Sequence, residues 1–260
     1  MLPGVVVTDW DEFWRGEASA MLDVGPSTRS RLRLMLPLVA RYARRGGSLL
    51  DVGCGSGTLL ASAARVVEFG RLCGLDLAEL PLVQARRACP AASFVVGDIC
   101  QAPLSERFDL ITCMMTLDLV PDEARASEHV ASMLAPGGHL IVVVQHLEKY
   151  RSALDERYGV RRHDRDSLRL QFERHGLREV ESFSWGWPLF DVYYRLLDKS
   201  GAGVVAPRNT PSPLRRLVSQ GIYAALRVDD LFMRFGRGRV LFGVFQKPPF
   251  GGGRSGDDAI

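Results

Sequence analysis

The chain has 260 residues, of which 47% are hydrophobic and 24% are charged, and 33 Lys and Arg against 30 Asp and Glu give a formal net charge of +3. This composition is ordinary for a globular protein and excludes a disordered or collagen-like chain. So small a charge excess gives no reason to expect a nucleic-acid partner.

The cysteines and the hydropathy pattern predict the environment of the protein. The five cysteines form no C-x-x-C pair and have no histidine at metal-ligand spacing, so we expect neither a metal site nor a disulfide framework. The amino terminus lacks a signal-peptide pattern, and no stretch approaches the ~20 apolar residues that span a bilayer. We therefore expect a soluble, cytoplasmic protein without an integral membrane segment.

The predicted elements alternate between strand and helix. In chain order they are a helix over 27–44, strand 48–52, helix 58–69, strand 72–76, helix 80–88, strands 93–96 and 108–113, helix 122–134, strand 139–144, helix 165–175, and strands 178–183 and 240–246. The strands are nearly continuous apolar runs, which is typical of parallel sheets covered on both faces by helices. The expected fold class is α/β, a doubly wound, Rossmann-like and mostly parallel seven-stranded sheet, with a helical insert before a last, antiparallel edge strand.

The stretch 184–238 is too long for an ordinary loop. It begins with a cluster of aromatic residues and contains a basic helix predicted from Leu214 to about Phe235. We expect a single domain over 1–247, in which 1–26 is an amino-terminal lid segment and 184–238 covers the substrate, followed by a disordered tail over 248–260.

A glycine-rich loop follows the first predicted strand. It runs from Asp51 through Gly53 and Gly55 to Gly57, where a parallel strand gives way to a helix and where ligands bind in such sheets. Such a loop alone is weak evidence, because strand-to-helix turns often contain glycine for geometry. A dinucleotide fingerprint would need glycine at position 58, which is Thr58, and no Lys-Ser or Lys-Thr pair marks a P-loop.

Two further acidic residues follow the next two strands. Asp76 lies 21 positions after Gly55, where a carboxylate can accept hydrogen bonds from both ribose hydroxyls. Asp98 is placed to accept from an adenine amine while Ile99 packs on the ring. Each aspartate alone fits a strand-end turn or a helix cap about equally well. Together, in order, they indicate a nucleoside ligand without a diphosphate.

At this point the chain resembles a known family, the class I S-adenosylmethionine (SAM)-dependent methyltransferases. The resemblance rests on an ordered set of motifs and covers about 27–183 plus the last strand: Leu-Leu-Asp-Val-Gly-Cys-Gly-Ser-Gly (49–57), Gly-Leu-Asp-Leu (74–77), Val-Gly-Asp-Ile (96–99), Phe-Asp-Leu-Ile-Thr-Cys (108–113) and Leu-Ala-Pro-Gly-Gly-His-Leu (134–140). One departure is Leu119, where many relatives have a histidine.

The resemblance implies SAM as the cofactor, S-adenosylhomocysteine as the product, and a set of cofactor-binding residues. Asp51, Gly53, Cys54 and Gly55 would hold the methionine portion, Asp76 and Leu77 the ribose, Asp98 and Ile99 the adenine, and Met114 and Met115 the other side of the cofactor.

The methyl sulfonium is already activated, so the enzyme must mainly align an acceptor and exclude water. If the acceptor must lose a proton, a base helps. The candidates are His146, just beyond the fifth strand, and Asp118, after the fourth. A solvated loop histidine and an aspartate at the start of a helix are the plain alternatives, about as favoured.

Aromatic residues suggest an apolar or planar acceptor. The candidate substrate-binding residues are Trp14, Trp185, Trp187, Phe190 and Tyr194, with ordinary hydrophobic packing as the alternative. The expected activity is methyl transfer to an O or N atom of a small molecule, by a monomer or homodimer without nucleic acid. The alternatives are a lipid or quinone methyltransferase at a membrane surface, and a SAM-binding scaffold or cyclase that transfers no methyl group.

Overall fold

The computed structural model describes residues 10–15, 25–101, 104–146, 156, 159–199 and 213–249. Seven strands form one sheet. Their bounds are β1 Ser48–Val52, β2 Arg71–Asp76, β3 Ser93–Val96, β4 Phe108–Met114, β5 Leu134–Gln145, β6 Arg178–Trp185 and β7 Val240–Gln246. The strand order is β3-β2-β1-β4-β5-β7-β6, with β1 to β5 parallel and β7 antiparallel to both of its neighbours.

Eight α-helices are described. They are α1 Trp10–Arg15, α2 Pro26–Tyr42, α3 Thr58–Ala63, α4 Leu80–Ala88, α5 Glu123–Met133, α6 Arg165–Glu173, α7 Leu189–Lys199 and α8 Pro213–Leu226. Short 3-10 segments follow β3 (Ile99–Gln101), β4 (Leu117–Leu119) and α8 (Arg227–Phe235). In the described part of the chain, no helix is long and apolar enough to cross a membrane.

Each face of the sheet is covered by its own apolar layer, as the continuous strand pattern predicts. Alternate residues of one strand point to opposite faces. In β5, Val142 belongs to the layer beneath α5 and α6, whereas Ile141 and Val143 belong to the layer beneath α2 and α3. The sequence-based fold class is thereby confirmed.

The antiparallel strand is not at the edge of the sheet, where the sequence analysis places it. β7 lies between β5 and β6, and β6 forms the edge. In β7, the residues from Val240 to Phe245 are all buried, and such an apolar run suits a strand paired on both sides.

The order of the strands reverses between β1 and β4. Chain crossovers leave this point in opposite directions, so the loops after the two strands diverge and leave a crevice at their carboxyl ends. The glycine loop follows β1 and therefore borders this crevice.

Several element bounds differ from the expectation. The helix after the glycine loop ends at Ala63, well before 69, and β5 begins at Leu134, ahead of the expected start at 139. The predicted helix from Leu214 to Phe235 is divided at Leu226, and α7 was not predicted as a helix. Most of the amino-terminal segment 1–26 and of the tail 248–260 lies outside the described residues.

Candidate functional site

A cavity of ≈ 420 Å³ lies at the carboxyl ends of the central strands. It is walled by the loops after β1, β2, β3 and β4 and covered by residues of α1, α2 and α7. Pockets of about 300–1,000 Å³ with mainly apolar walls and few polar groups are typical small-molecule sites. The crevice expected at the strand reversal is therefore a formed cavity.

Asp51, the first acidic residue of the motif set, lines the cavity while only 3% exposed. It is opposite Thr112 in the β1–β4 register, and the Thr112 hydroxyl donates to its Oδ1 at 2.7 Å. Burial raises the pKa of Asp51 to about 7, although the hydrogen bond from Thr112 opposes that shift. A buried carboxylate thus lies at the point where a cofactor would pass the glycine loop.

Two glycines of the loop are required by close approaches. Gly53 and Gly55 have φ angles of 71° and 50°, in the left-handed region that favours glycine. A Cβ at Gly53 would overlap the Thr116 side chain, and one at Gly55 would come within 2.9 Å of the Trp14 ring. The loop therefore lies directly beneath α1, which covers this end of the cavity.

Asp76 closes the loop onto the end of β2. Its Oδ2 accepts from the Gly55 N–H at 2.8 Å, and its Oδ1 accepts from the Ala78 N–H at 2.9 Å. Burial raises the pKa of Asp76, and these backbone hydrogen bonds oppose the rise. The carboxylate is therefore fixed in place before any ligand arrives.

The structure brings the other predicted cofactor residues to the same cavity. Asp98 lines it and accepts from the Cys100 N–H at 2.8 Å, which starts the short 3-10 turn after β3. The remaining predicted residues on the lining are Cys54, Leu77, Ile99, Met114 and Met115. Met115 has a φ of 57°, uncommon for a non-glycine residue, and its N–H donates to Val143.

Asp118, in the turn after β4, is a fourth acidic residue of the lining. It is 1% exposed; its Oδ2 accepts from the Gln145 N–H at 3.2 Å, and its Oδ1 has no hydrogen-bond partner among the described residues. Burial raises the pKa of Asp118 to about 6. This carboxyl group combines access to the cavity with a proton affinity suited to a base near neutral pH.

His146, the other candidate base, lies behind the cavity wall. It is 5% exposed, does not belong to the lining, and forms an isolated parallel bridge with His163. The prediction of a residue beside the cofactor is not supported for His146, because β5 extends through Gln145 and turns the next residue into the protein.

Arg31 was missed by the sequence analysis. It is the cationic residue on the described lining, only 9% exposed, and its guanidinium donates to Thr28 Oγ1 at 3.2 Å. Its Nε has no hydrogen-bond partner among the described residues, and burial lowers its pKa. The available signal was helical spacing, which puts Arg31 on the same face of α2 as Ser27 and Thr28.

The predicted aromatic residues separate into two groups. Trp14 and Tyr194 line the cavity, with Trp14 over the glycine loop. Trp185 and Phe190 are instead buried in the core, with ring centroids 4.9 Å apart, and Trp187 packs edge-on against Phe232. These three rings pack the start of the insert against the protein, which agrees with the alternative of ordinary hydrophobic packing. Burial in the core removes more apolar surface from water than a partly open cavity would.

The described residues contain no group of three or more His, Cys, Asp or Glu side chains placed to hold a metal ion. The polar side chains on the cavity lining include the carboxylates of Asp51, Asp76, Asp98 and Asp118 and the guanidinium of Arg31.

Residues 27–182 match a family model described as a methyltransferase domain. That span is more than half of the chain. The chain belongs to the methyltransferase family. Solved structures with the same fold include SAM-dependent methyltransferases, in agreement with the motif set, and the family's cofactor is SAM.

Among curated relatives of this methyltransferase, the ubiquinone biosynthesis O-methyltransferase of Serratia proteamaculans is 37% identical over 116 residues, 40% of this chain and 47% of that protein. The chain spans about half the length of the curated relatives it matches.

Two solved structures show the same fold. The N-methyltransferase NodS of Bradyrhizobium japonicum WM9, in complex with S-adenosylhomocysteine, has a TM-score of 0.59 at 19% identity and covers 90% of this chain and 93% of its own. The [4+2]-cyclase SpnF has a TM-score of 0.61 at 20% identity, covering 85% of this chain and 83% of its own.

Proposed function

We propose that the protein transfers the methyl group of SAM to an O or N atom of a small organic acceptor inside the ≈ 420 Å³ cavity. The observation that carries the proposal is convergence: Asp51 near the end of β1, Asp76 at the end of β2 and Asp98 just after β3 all line one cavity together with the glycine loop. Packing alone gives no reason to collect three carboxylates around one apolar space.

The residues present fit the polar parts of SAM. Asp76 and Leu77 would hold the ribose, Asp98 and Ile99 the adenine, and the loop from Asp51 to Gly55 the methionine portion, with Met114 and Met115 against the opposite side. Arg31 adds a buried cation to the lining, and its Nε has no hydrogen-bond partner among the described residues. This cation suits the carboxylate of the methionine portion of SAM. When bound, SAM supplies an electrophilic methyl group.

The chain's own residues would supply positioning, dryness and a base. Trp14 covers the glycine loop, and Tyr194 and Leu197 of α7 close the other side, so both lids exclude water. The carboxyl group of Asp118, a residue of the cavity lining, would accept the proton of an acceptor hydroxyl or amine. A positioned base of this kind contributes roughly 10²–10⁴-fold.

The lining beside Asp118 predicts the character of the acceptor. Leu119, Val120, Pro121 and Val160 give this end apolar walls, while Tyr194 adds an aromatic ring. An acceptor with an apolar or planar body and one nucleophilic hydroxyl or amine matches these walls.

The test is release of S-adenosylhomocysteine from SAM over a panel of phenols, catechols, aliphatic alcohols and amines. We expect turnover with at least one acceptor, with a rate that falls about tenfold per pH unit below pH 6 as Asp118 is protonated. The Asp118→Asn variant should be slower by at least about 100-fold and lose this acid limb. The Asp166→Asn variant, altered at an exposed carboxylate of α6, is the matched control.

Absence of turnover over the whole panel, by a protein that binds SAM, would contradict methyl transfer. That result would favour the alternative of a SAM-binding scaffold or cyclase. A [4+2]-cyclase, SpnF, has the same fold as this chain.

A second candidate is methylation of a lipid or quinone at a membrane surface. The insert exposes a set of apolar side chains, Val192, Leu196, Leu217, Val218, Leu231 and Phe235, with exposed arginines such as Arg195 and Arg227 among them. Apolar side chains beside arginines suit an anionic bilayer surface. Several curated relatives are named for ubiquinone biosynthesis, which agrees with such a substrate class.

Sedimentation with vesicles of anionic and of neutral phospholipid tests this candidate. Selective binding to anionic vesicles, lost in Leu196→Glu but kept in Val180→Glu on the edge strand β6, would support it; both side chains are exposed. If the protein binds neither vesicle type, the membrane-surface candidate is contradicted and the small-molecule proposal stands.

A further inference from the structure

A buried arginine lies behind the cavity wall on the side of α7. Arg239 comes directly before β7 and is fully buried, at 0% exposed. Its carbonyl accepts from the His146 N–H at 2.9 Å, just beyond β5, and its side chain does not belong to the cavity lining. A charged side chain is costly to bury unless it is paired, so the contacts of this guanidinium indicate its role.

Two residues of α7 contact this guanidinium. The Arg239 Nη1 donates to Asp191 Oδ1 at 3.2 Å, and the Arg239 Cζ lies over the Tyr194 ring, 3.7 Å from its centroid. Asp191 and Tyr194 are three residues apart and therefore lie on the same face of the helix. The guanidinium is thus paired with a carboxylate and stacked on an aromatic ring of the same helix.

Tyr194 is the residue through which this arrangement reaches the cavity. The Tyr194 side chain lines the cavity, whereas the guanidinium stacked on its ring is buried behind it. A planar guanidinium stacks well on an aromatic face, and the attraction of a cation to a ring is stronger where water is excluded. The contact therefore fixes the ring as a flat aromatic surface at the cavity wall.

Simple fastening of α7 does not require the ring. The ion pair with Asp191 by itself joins α7 to the start of β7, and Asp229 accepts from the Leu189 N–H at the start of the helix. An aliphatic side chain in place of Tyr194 would leave both of these contacts intact. The stacked pair of Arg239 and Tyr194 is therefore better explained by what the ring does in the cavity.

We propose that Arg239 is a positioning residue that determines acceptor specificity, because it fixes the Tyr194 ring as a flat wall on which an aromatic acceptor stacks. This inference rests on the proposed function, since it assigns the class of acceptor for that reaction. Paired aromatic rings gain free energy beyond that of the area they bury, and a saturated ring does not. An aromatic alcohol or amine is thus preferred to its saturated counterpart.

The test compares the binding of benzyl alcohol and cyclohexylmethanol to the full chain by ligand-observed NMR. S-adenosylhomocysteine is present, so no methyl group can be transferred. The probes share a six-membered ring and a primary hydroxyl; the saturated ring is the more apolar, so burial alone favours cyclohexylmethanol. We expect wild type to bind benzyl alcohol at least about threefold more tightly. Tyr194→Leu should abolish this preference, and Arg239→Met should bring the two affinities to within about twofold.

A second stacked pair supplies matched controls. The Arg29 Cζ lies 4.1 Å from the centroid of the Tyr223 ring, and neither residue belongs to the cavity lining. Arg29→Met and Tyr223→Leu should therefore keep the wild-type preference. If Arg239→Met does not fold, Arg239→Lys keeps a cation for Asp191 but has no planar face, and it carries the same expectation.

Equal affinities of wild type for the two probes, or an undiminished preference in the Arg239 variant, would overturn the assignment. Weaker binding of both probes by the same factor in that variant would also overturn it, because a residue that only supports the fold gives this result. Neither probe has to be methylated, so the outcome is independent of the assay of S-adenosylhomocysteine release that tests the proposed function.

Discussion

At the scale of single residues, the cavity concentrates buried ionisable groups. Arg31, Asp51 and Asp118 are each at least nine-tenths buried, and each has an incomplete set of hydrogen bonds or a shifted pKa. Such groups reduce the stability of the fold unless a ligand completes their interactions. These groups therefore lower the stability of the ligand-free protein, and a bound ligand would restore it.

Asp51 allows this loss to be measured. Its folded pKa of about 7 exceeds the ordinary 3.8, so the native state holds the proton more tightly and stability declines as pH rises from 4 to 7. In the ligand-free protein, Asp51→Asn should therefore be more stable than wild type at pH 8, by a few kcal/mol at most, and nearly equal at pH 4. Urea unfolding at both pH values measures this difference.

Asp109 provides a control of opposite sign. Burial would raise the pKa of its carboxyl, but hydrogen bonds from the Ser48 N–H and hydroxyl outweigh burial and lower it. Its contribution to stability is present above the ordinary pKa and is lost at lower pH, so Asp109→Asn should be less stable than wild type at pH 8. A stability loss for Asp51→Asn at pH 8 would contradict the account of that residue.

Arg31 gives a prediction about ligand selectivity. If its guanidinium holds the cofactor carboxylate, wild type should prefer SAM to decarboxylated SAM by at least about tenfold, since hydrogen bonds to charged groups contribute about 1.5–3 kcal/mol. Arg31→Gln should weaken SAM binding and abolish the preference. Arg33→Gln, altered at the neighbouring arginine that binds Asp230, should keep it. An undiminished preference in Arg31→Gln would assign the carboxylate to another group.

The sequence predicts some of these residues and not others, for a physical reason. Asp51, Asp76 and Asp98 lie at or just beyond the carboxyl ends of successive strands, so the strand pattern alone brings them to one edge of the sheet. Arg31 lies on α2, and packing decides which face of this helix turns toward the cavity. In the sequence, Arg31 cannot be told apart from the other arginines of this basic helix. His146 looked accessible because the last residue of β5 was placed one position too early.

At the scale of elements, the insert is held by two adjacent carboxylates. Asp229 accepts from the Leu189 and Phe190 N–H groups, both at 2.8 Å, and so satisfies the start of α7. Asp230 accepts from the Trp185 indole and from both terminal nitrogens of Arg33. These contacts place α7, and with it Tyr194, over the cavity.

The cap on α7 can be removed without touching the cavity lining. Asp229→Ala should destabilise the protein by about 0.5–2 kcal/mol, the range of lost helix caps, and should speed hydrogen exchange in α7 more than in the central strands. Val192→Ala, on an exposed side chain of the same helix, serves as the control. Unchanged exchange in α7 would show that other contacts hold the insert.

Element prediction was reliable where an apolar period was strong and failed where tertiary contacts decide. The central strands β1, β4, β5 and β7 follow from their runs of buried apolar residues. The start of α7 was not recognisable, because its cap, Asp229, lies 40 residues later in the chain. The division of the last helix at Leu226 likewise follows from packing, since Leu226 is buried beneath the sheet-facing layer.

At the scale of the whole molecule, the cavity has two kinds of wall. The ends of β1 and β2 and the loops after β1 to β3 provide carboxylates and glycines, while α7 and the turn after β4 provide apolar side chains. Under the proposed function, the first wall would hold the cofactor and the second the acceptor. β7 completes the sheet beyond the insert, which supports the proposal of a single domain over 1–247. Under the proposed function, the insert, which has few motif residues, would choose the substrate.

The central claim is that this cavity binds SAM through the residues after the strands. Isothermal calorimetry with SAM and with S-adenosylhomocysteine on the full chain should show one site, and Asp76→Ala should weaken both by at least about tenfold while remaining folded. Asp166→Ala should bind as wild type does. Folded wild-type protein that binds neither ligand, or an Asp76→Ala variant that binds both as tightly as wild type, would contradict the account.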